Sequence, residues 1–238
     1  SKQSLIELKE IGFPLERTLL TPNGISLNAP FREGTSISDK EIVNVVYVGR
    51  LTPQKGIEDL LYAWETVSRS KLPARLKIWG TGESREDLED LVNRLQIQHS
   101  VEFCGHVDDV PAKLTDMDIF VLPSYIEGNS NAVLEAMRAG LPVVATRVGG
   151  TEMQVGPEGA GFLVAPGSPE EIADRLVTLI GNASPREGLG QAMRDRVSRF
   201  FDIHLVANTY MQAYALLSNN QRDRMIALAN PVIRESGE

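Results

Sequence analysis

Two glutamates frame the start of a predicted helix in the stretch "PSYIEGNSNAVLEAMRAGLPVVAT", residues 123–146. Glu127 lies in the turn before the helix, and Glu135 follows eight positions later, inside the helix. Asn129 or Ser130 is suited to cap the helix, whose first turn then offers free backbone N–H groups. Such a helix start binds anions, because its N–H groups and its dipole both favour negative charge. The stretch therefore predicts an anion site with one carboxylate on either side.

Two cations in "VGRLTPQKG", residues 48–56, could complete that site. Arg50 supplies a planar fork of donors and Lys55 a mobile point charge, the groups that clamp a phosphate or a diphosphate. The chain has a net charge of −8, so an anionic ligand must be held by a few cations placed locally. Taken alone, the two are better explained as solvated loop charges. Beside Glu127 and Glu135 they favour a ligand with hydroxyls on both sides of its phosphates, the layout of a nucleotide diphosphate sugar.

Short apolar runs alternate with amphipathic helical patterns and position these loops. The predicted strands are residues 42–48, 74–80, 100–105, 118–123, 142–146 and 161–165, and beyond about residue 182 the pattern is only helical. Strands this short and apolar, separated by helices, predict a parallel sheet covered on both faces. The predicted fold class is α/β, a doubly wound, Rossmann-like domain followed by C-terminal helices. Ligands of such sheets bind at the carboxyl ends of the strands, where both loops lie.

Composition narrows the function classes. The 238 residues are 42% hydrophobic and 24% charged, which suits a globular protein with a sizeable core. Lys and Arg are not clustered, so neither a nucleic acid nor an anionic membrane surface is an expected partner. No apolar run approaches the ~20 residues of a membrane span. The single cysteine, Cys104, cannot form a disulfide within the chain, and the three histidines lack metal-ligand spacing, so no metal is expected.

The motifs together resemble the family 4 (group 1) retaining glycosyltransferases, which have the GT-B fold. The E-x7-E pair in "EGNSNAVLEAM" is similar to that family's signature, and "GRLTPQKG" to the segment that carries its diphosphate-binding Arg and Lys. Further matches, in the family's order, are "PNG" at 22–24, "GTGE" at 80–83, "FCGHV" at 103–107 and "VGGTEMQVGPEGAGFLV" at 148–164. The resemblance spans residues 18–217 and ends in "FDIHLVANTYMQAYALL", which resembles the family's terminal helix.

The resemblance implies a role for each matched residue. Glu135 would bind the ribose hydroxyls and Glu127 the hydroxyls of the donor sugar, while the segment at His106 and Val107 would contact the base, largely through its main chain. The expected diphosphate-binding residues are Arg50, Lys55, Gly128, Asn129, Ser130 and Asn131. The expected catalytic residues are Glu127, Arg50 and Lys55, without a cofactor or a divalent metal. Many members carry an aromatic residue and then Gly or Pro after the first glutamate, so the polar Asn129 and Ser130 leave the sugar open.

The resemblance also implies a division of the chain. In the family, "PNG" begins the C-terminal, donor-binding domain, and a preceding domain binds the acceptor. We therefore expect residues 1–21 to be a linker, residues 22–217 the nucleotide-sugar-binding domain, and residues 218–238 a polar tail. The whole enzyme would transfer a hexosyl unit from a UDP- or GDP-sugar to a carbohydrate or lipid-linked acceptor. We expect it in the cytoplasm, or at the inner membrane face through the acceptor domain, and expect this chain alone to be inactive in transfer.

Three alternatives from other classes stay open at the level of sequence. A nicotinamide-binding Rossmann domain rests on "WGTGESREDLE", residues 79–89, where Arg85 stands in place of the third glycine of the fingerprint. A glycosidase also needs two carboxylates, but Arg50 and Lys55 would have no purpose in a neutral sugar site. The third alternative is a nucleotide-binding module without turnover. Titration with UDP, GDP and NAD would separate these alternatives.

Overall fold

A single parallel sheet forms the centre of the molecule. The computed structural model describes residue 8 and residues 10–12, 21–28 and 42–218. The strands are β1 (Val43–Val48), β2 (Ala74–Trp79), β3 (Val101–Gly105), β4 (Ile119–Leu122), β5 (Val143–Thr146) and β6 (Leu163–Val164). Their order is β3-β2-β1-β4-β5-β6, and every pairing is parallel. Each strand lies inside its predicted range, so the predicted doubly wound α/β fold is confirmed.

Eight helices in the described part of the chain surround and follow the sheet. They are α1 (Ile57–Arg69), α2 (Arg85–Arg94), α3 (Val110–Lys113), α4 (Asn131–Arg138), α5 (Thr151–Gly159), α6 (Pro169–Gly181), α7 (Ala183–Phe200) and α8 (Ile203–Ser218). The helix α5 is kinked at Gly156, whose φ of 64° interrupts the helical backbone. The last two helices match the prediction of a purely helical C-terminal region.

The core lies between the sheet and the inward faces of the helices. All four residues of β4 and all four of β5 are buried, because helices cover both faces of the sheet. On α1, Leu60, Leu61 and Trp64 recur at helical spacing and are at most 1% exposed. The Trp64 indole N–H donates to Ser100 Oγ at 3.1 Å, which satisfies its one polar group. Full burial of such side chains contributes about 1.5–3 kcal/mol each, so the pattern read in sequence also stabilises the fold.

The strand order creates a crevice at one edge of the sheet. The chain proceeds from β1 outward to β2 and β3, then returns to β4 on the other side of β1. The loops that follow β1 and β4 therefore leave the same edge from neighbouring strands and diverge, which is the topological switch point where ligands of such sheets bind. These are the two loops in which the sequence places the candidate cations and carboxylates.

The division of the chain into residues 1–21, 22–217 and 218–238 stays a prediction. Most of the predicted linker, residues 1–21, and of the predicted tail, residues 218–238, lies outside the described residues. The described segment 21–28 is attached to the start of α8, because Ile25 N donates to Phe201 O at 2.8 Å and Ile203 N to Ile25 O at 2.9 Å. Within the described ranges no helix combines the length and apolar character needed to cross a membrane.

Candidate functional site

The loop after β1 is locked against the loop after β4. A Cβ on Gly56, whose φ is 61°, would lie 2.2 Å from Pro123 O, so only glycine permits this approach. The backbone N–H of Tyr125 donates to Gln54 O at 2.9 Å and ties the loops together again. Lys55 ends a 3-10 turn between these two contacts. Its side chain is thereby placed at the switch point.

Lys55 and Glu127 form an ion pair across the crevice. Lys55 Nζ lies 2.6 Å from Glu127 Oε1, and the two side chains are only 18% and 10% exposed. Ser124 Oγ donates to the same carboxylate oxygen at 2.8 Å. The structure thus joins two residues that the sequence assigns to different parts of a ligand. An ammonium carries three N–H donors, so Lys55 can bind Glu127 and still donate to an anion.

A buried tyrosine supports the loop that carries Arg50. The Tyr47 hydroxyl donates to Arg50 O at 2.8 Å, and a Cβ on Gly49 would lie 2.6 Å from that hydroxyl. Burial raises the pKa of the Tyr47 phenol well above its usual range, and the charge of Glu127 adds to the rise while Arg50 opposes it. Tyr47 therefore remains a neutral donor beneath the site. In the sequence Tyr47 is only one residue of an apolar strand. Its hydrogen bond could not be predicted there, because the acceptor is a main-chain oxygen and no residue type marks it.

The start of α4 has the predicted cap. Ser130 is the N-cap, and its Oγ accepts from Val133 N at 3.4 Å, which resolves the choice between Asn129 and Ser130. The side chain of Asn23 donates to Asn129 O at 3.2 Å and to Asn131 Oδ1 at 2.9 Å. The "PNG" segment therefore supports the start of α4. This motif was noted in the sequence, but the contact between its asparagine and the helix was not predicted.

The segment that follows β5 supports the same helix start from behind. Gly150 N donates to Gly128 O at 2.7 Å, and the buried Gln154 donates its side-chain N–H to Ser130 O at 3.0 Å. Gly128 itself is exposed. The backbone of residues 128–130 is thus fixed on its inner side, while its outer side stays accessible to a ligand.

Glu135 lies inside α4, after the capped turn. Its side chain is half-buried, and within the described ranges its carboxylate makes no hydrogen bond. Burial raises the pKa of this carboxyl, and the charge of Arg138 lowers it again. The acceptor capacity of the carboxylate is therefore not used by any residue that the structure describes.

A cleft of about 290 Å³ runs along the carboxyl ends of the first three strands. Its lining residues are Val48, Gly49, Arg50, Trp79, Gly80, Thr81, His106, Val107 and Val110. The structure therefore brings the predicted base-contacting segment beside Arg50. The His106 imidazole is 80% exposed and lies 3.4 Å from the Asp108 carboxylate, which is 94% exposed. The main chain around His106 and Val107, more than the imidazole, is available as a wall of the cleft.

The two glycines of "GTGE" have a packing explanation. A Cβ on Gly80, whose φ is 141°, would lie 1.8 Å from Gly49 O, and one on Gly82 would lie 2.2 Å from Leu51 O. Both glycines therefore permit the loop after β2 to pass close to the loop after β1. This G-x-G follows the second strand of the sheet rather than the first, unlike the dinucleotide fingerprint. Its glycines are explained without a nicotinamide cofactor.

The arrangement as a whole can hold a diphosphate. Arg50 and Lys55 follow β1, and α4 follows the neighbouring strand β4, so both cations and the first N–H groups of α4 belong to the same edge of the sheet and favour an anion there. Across the described ranges, no cluster of three or more His, Cys, Asp or Glu side chains has the geometry of a metal site. Glu127, in the loop after β4, and Glu135, on α4, add carboxylate oxygens that can accept hydrogen bonds from ligand hydroxyls.

Known proteins match this chain over most of its length. The family described as "Glycosyl transferases group 1" matches residues 43–182, more than half of the chain. An uncharacterised glycosyltransferase of Methanocaldococcus jannaschii is 41% identical over 153 residues, which cover 62% of this chain and 39% of that protein. The sulfoquinovosyl transferase of Arabidopsis thaliana is 36% identical over 162 residues, which cover 66% of this chain and 30% of that protein. The chain thus spans less than half the length of either relative.

Solved structures agree on the fold. Sucrose-phosphate synthase from Thermosynechococcus elongatus superposes with a TM-score of 0.81 at 27% identity, covering 92% of this chain and 57% of that chain. Anabaena HepE, solved in complex with UDP, gives a TM-score of 0.81 at 23% identity and covers 90% and 62%, a likeness that bears on the fold alone. The sheet and its flanking helices are those of GT-B glycosyltransferases. The chain belongs to the group 1 glycosyl transferases.

Proposed function

We propose that this chain is the donor-binding domain of a retaining glycosyltransferase. The whole protein would transfer a hexosyl unit from a UDP- or GDP-sugar to a carbohydrate or lipid-linked acceptor. The observation that carries the proposal is the contact between Lys55 Nζ and Glu127 Oε1, at 2.6 Å, in the crevice between β1 and β4. A cation, a carboxylate and a helix start meet there, which suits a ligand in which a diphosphate is joined to a sugar.

The donor lies along the carboxyl edge of the sheet in this proposal. Arg50, Lys55 and the backbone of residues 128–131 hold the diphosphate, with Ser130 capping the helix that faces it. Glu135 accepts hydrogen bonds from the ribose hydroxyls, and Glu127 accepts them from the sugar. The base enters the cleft beside His106 and Val107. The charged and polar groups of the loops thus hold the sugar, the diphosphate and the ribose, while the largely apolar cleft takes the base.

The chemistry that these residues supply is stabilisation of a leaving group. Negative charge grows on the diphosphate as its bond to the anomeric carbon breaks. Lys55 is held in place by Glu127, so its charge is already positioned when that happens, and such preorganised electrostatics lower barriers. Two cations and a helix dipole can carry out this neutralisation without a divalent metal. Glu127 orients the sugar by accepting hydrogen bonds from the sugar hydroxyls.

The acceptor is bound by another domain in this proposal, as the lengths of the relatives suggest. Holding an acceptor hydroxyl in near-attack geometry can lower the barrier by ~7–11 kcal/mol. This chain by itself is therefore expected to bind the donor without transferring sugar, with slow donor hydrolysis at most. The cytoplasmic location, with contact to the inner membrane face through the acceptor domain, belongs to the same proposal.

Isothermal titration calorimetry with UDP, GDP and NAD tests the binding proposal. We expect UDP or GDP to bind and NAD not to bind. Loss of one charged hydrogen bond should weaken nucleotide affinity by roughly tenfold to a hundredfold in Lys55→Ala and in Glu135→Ala. Lys71→Ala, which removes an exposed lysine from the turn before β2, is the control and should leave the affinity unchanged. Unchanged affinity in both site variants would refute the assignment.

Incubation with donor and candidate acceptors tests the activity proposal. The chain should be compared with a longer protein that also carries an acceptor domain, at equal concentration and with the same donor. We expect sugar transfer only from the longer protein. Transfer by the shorter chain at a comparable rate would show that the acceptor site lies within it.

A further inference from the structure

Arg138 is a buried cation one helical turn beyond Glu135 on α4. The residue is only 5% exposed, and its Nη1 donates to Ser26 O at 3.4 Å. Nε and Nη2 are also buried and have no hydrogen-bond partner among the residues that the structure describes. A buried guanidinium with unused donors lowers the stability of the fold unless another group compensates it. This arginine therefore calls for an explanation beyond packing.

Two carboxylates act on Arg138 through space. Burial lowers the pKa of the guanidinium, while the charges of Glu135 and Asp109 raise it. Arg138 acts in turn on Glu135, whose carboxyl pKa it lowers against the effect of burial. In the described part of the chain, neither carboxylate forms an ion pair with it. The three N–H groups of Nε and Nη2 therefore remain available beside the carboxylate, which shares their face of the helix.

We propose that Arg138 is a positioning residue for the ribose of the bound nucleotide and acts through Glu135. The inference rests on the proposed function, because it takes Glu135 as the ligand of the ribose diol. An ionised carboxylate can accept from both hydroxyls of a diol, whereas a protonated one has less acceptor capacity. The charge of Arg138 opposes the effect of burial and so favours the ionised form of the half-buried Glu135. Its Nε and Nη2 donors can orient one carboxylate oxygen while the diol engages the other.

Comparison of UDP with 2′,3′-dideoxy-UDP isolates the ribose contribution. We expect wild-type protein to prefer UDP over the dideoxy nucleotide, and Arg138→Met to lose roughly tenfold of that preference, as for a hydrogen bond to a charged group. Affinity for dideoxy-UDP should stay unchanged in the variant. If GDP is the tighter ligand of the wild-type protein, the guanosine pair replaces the uridine pair. Equal weakening of both nucleotides, or no change in either, would overturn the inference.

A matched control separates this role from the loss of any buried arginine. Arg186 is 3% exposed and donates to Leu179 O and Ile180 O, far along the chain from the site. Arg186→Met should lower the melting temperature and leave the preference for UDP intact. Arg138→Lys keeps the charge and should keep more of the preference than Arg138→Met. If Arg138→Met does not fold, Arg138→Gln takes its place with the same expected outcomes.

A double-mutant cycle tests whether Arg138 acts through Glu135. The double variant Glu135→Gln/Arg138→Met should bind UDP no more weakly than Glu135→Gln alone, since Arg138 has no role once the carboxylate is gone. Additive losses would overturn the inference. If Glu135→Gln itself leaves UDP affinity unchanged, the ribose assignment fails as well. If Glu135→Gln weakens binding and Arg138→Met does not, only the role of Arg138 fails.

Discussion

Replacement of Glu127 by glutamine should weaken the fold and strengthen the binding of a nucleoside diphosphate that carries no sugar. The Lys55 ammonium contacts the Glu127 carboxylate at 2.6 Å. Glutamine keeps the shape and one oxygen acceptor but removes the charge. The substitution therefore probes the ion pair rather than the packing around it.

The exposure of the two side chains sets the magnitude. Two unit charges about 4 Å apart interact by ~4 kcal/mol at an effective dielectric constant of ~20, before desolvation is subtracted. Breaking a fully buried pair destabilises a protein by ~3–5 kcal/mol. Because Lys55 is 18% and Glu127 10% exposed, solvent screens part of this, and we expect ~2 kcal/mol. For a domain of this size that corresponds to a fall in Tm of ~4–8 °C.

Ligand affinity should change in the opposite direction. The carboxylate of Glu127 repels a diphosphate and occupies part of Lys55, so its removal should raise UDP affinity by roughly threefold to tenfold, the equivalent of about one weak charged contact. A UDP-hexose should gain less, because the neutral amide is a poorer acceptor for the sugar hydroxyls. The difference between the affinity changes for UDP and for the UDP-hexose measures how much Glu127 contributes to binding the sugar.

Scanning calorimetry and titration calorimetry on four proteins decide the matter: wild type, Glu127→Gln, Lys55→Met and the double variant. We expect a coupling free energy of ~2 kcal/mol for unfolding, as for a pair in direct contact. Glu65→Gln is the control, because its 2.6 Å contact with Arg69 is similar in length but the arginine is 73% exposed. That variant should change neither Tm nor UDP affinity appreciably. An unchanged Tm together with weaker UDP binding in Glu127→Gln would refute the reasoning.

Further predictions concern titration and backbone strain. Burial raises the pKa of the Glu135 carboxyl, so acidification should begin to lower UDP affinity at a higher pH than it would for an ordinary glutamate. Calorimetry at several pH values should show a flatter pH dependence of UDP affinity in Glu135→Gln. The hydrogen bond to Asp59 raises the pKa of Tyr125 to about 12, so its stabilising effect should be complete below pH 10.0 and lost as the pH approaches 12. Ultraviolet titration should show Asp59→Asn shifting this phenol back toward its ordinary pKa, and an unshifted curve would contradict the assignment. Gly149→Ala should lower stability by more than ~2 kcal/mol, since φ is 55° and a Cβ would lie 1.7 Å from Glu127 O, whereas Gly161→Ala, with nothing within 4 Å of its Cβ, should be nearly neutral in a thermal unfolding experiment.

The amino-acid sequence by itself determined the strands and the helices, and it narrowed the cap of α4 to Asn129 or Ser130. Parallel strands covered on both faces must be apolar throughout, so the runs at 119–122 and 143–146 stand out without any knowledge of their neighbours. Ser130 is a cap because its side chain reaches a backbone N–H only three residues away, an interaction that the local sequence encodes. The cations and carboxylates of the candidate site were also predicted from sequence, because residues of these types follow predicted strand ends.

Only the tertiary structure decided which of those groups meet. Lys55 and Glu127 are 72 positions apart, and they touch because β4 lies beside β1, an order that hydrophobic periodicity does not encode. Arg138 in the sequence is a cation in the last turn of a helix, typical of a solvated group that favours the helix dipole. It is buried because distant parts of the chain pack around it, including the segment that carries Ser26, which lies 112 positions earlier. Local patterns specify elements through short-range contacts, whereas burial and pairing of these charges depend on how distant elements pack together.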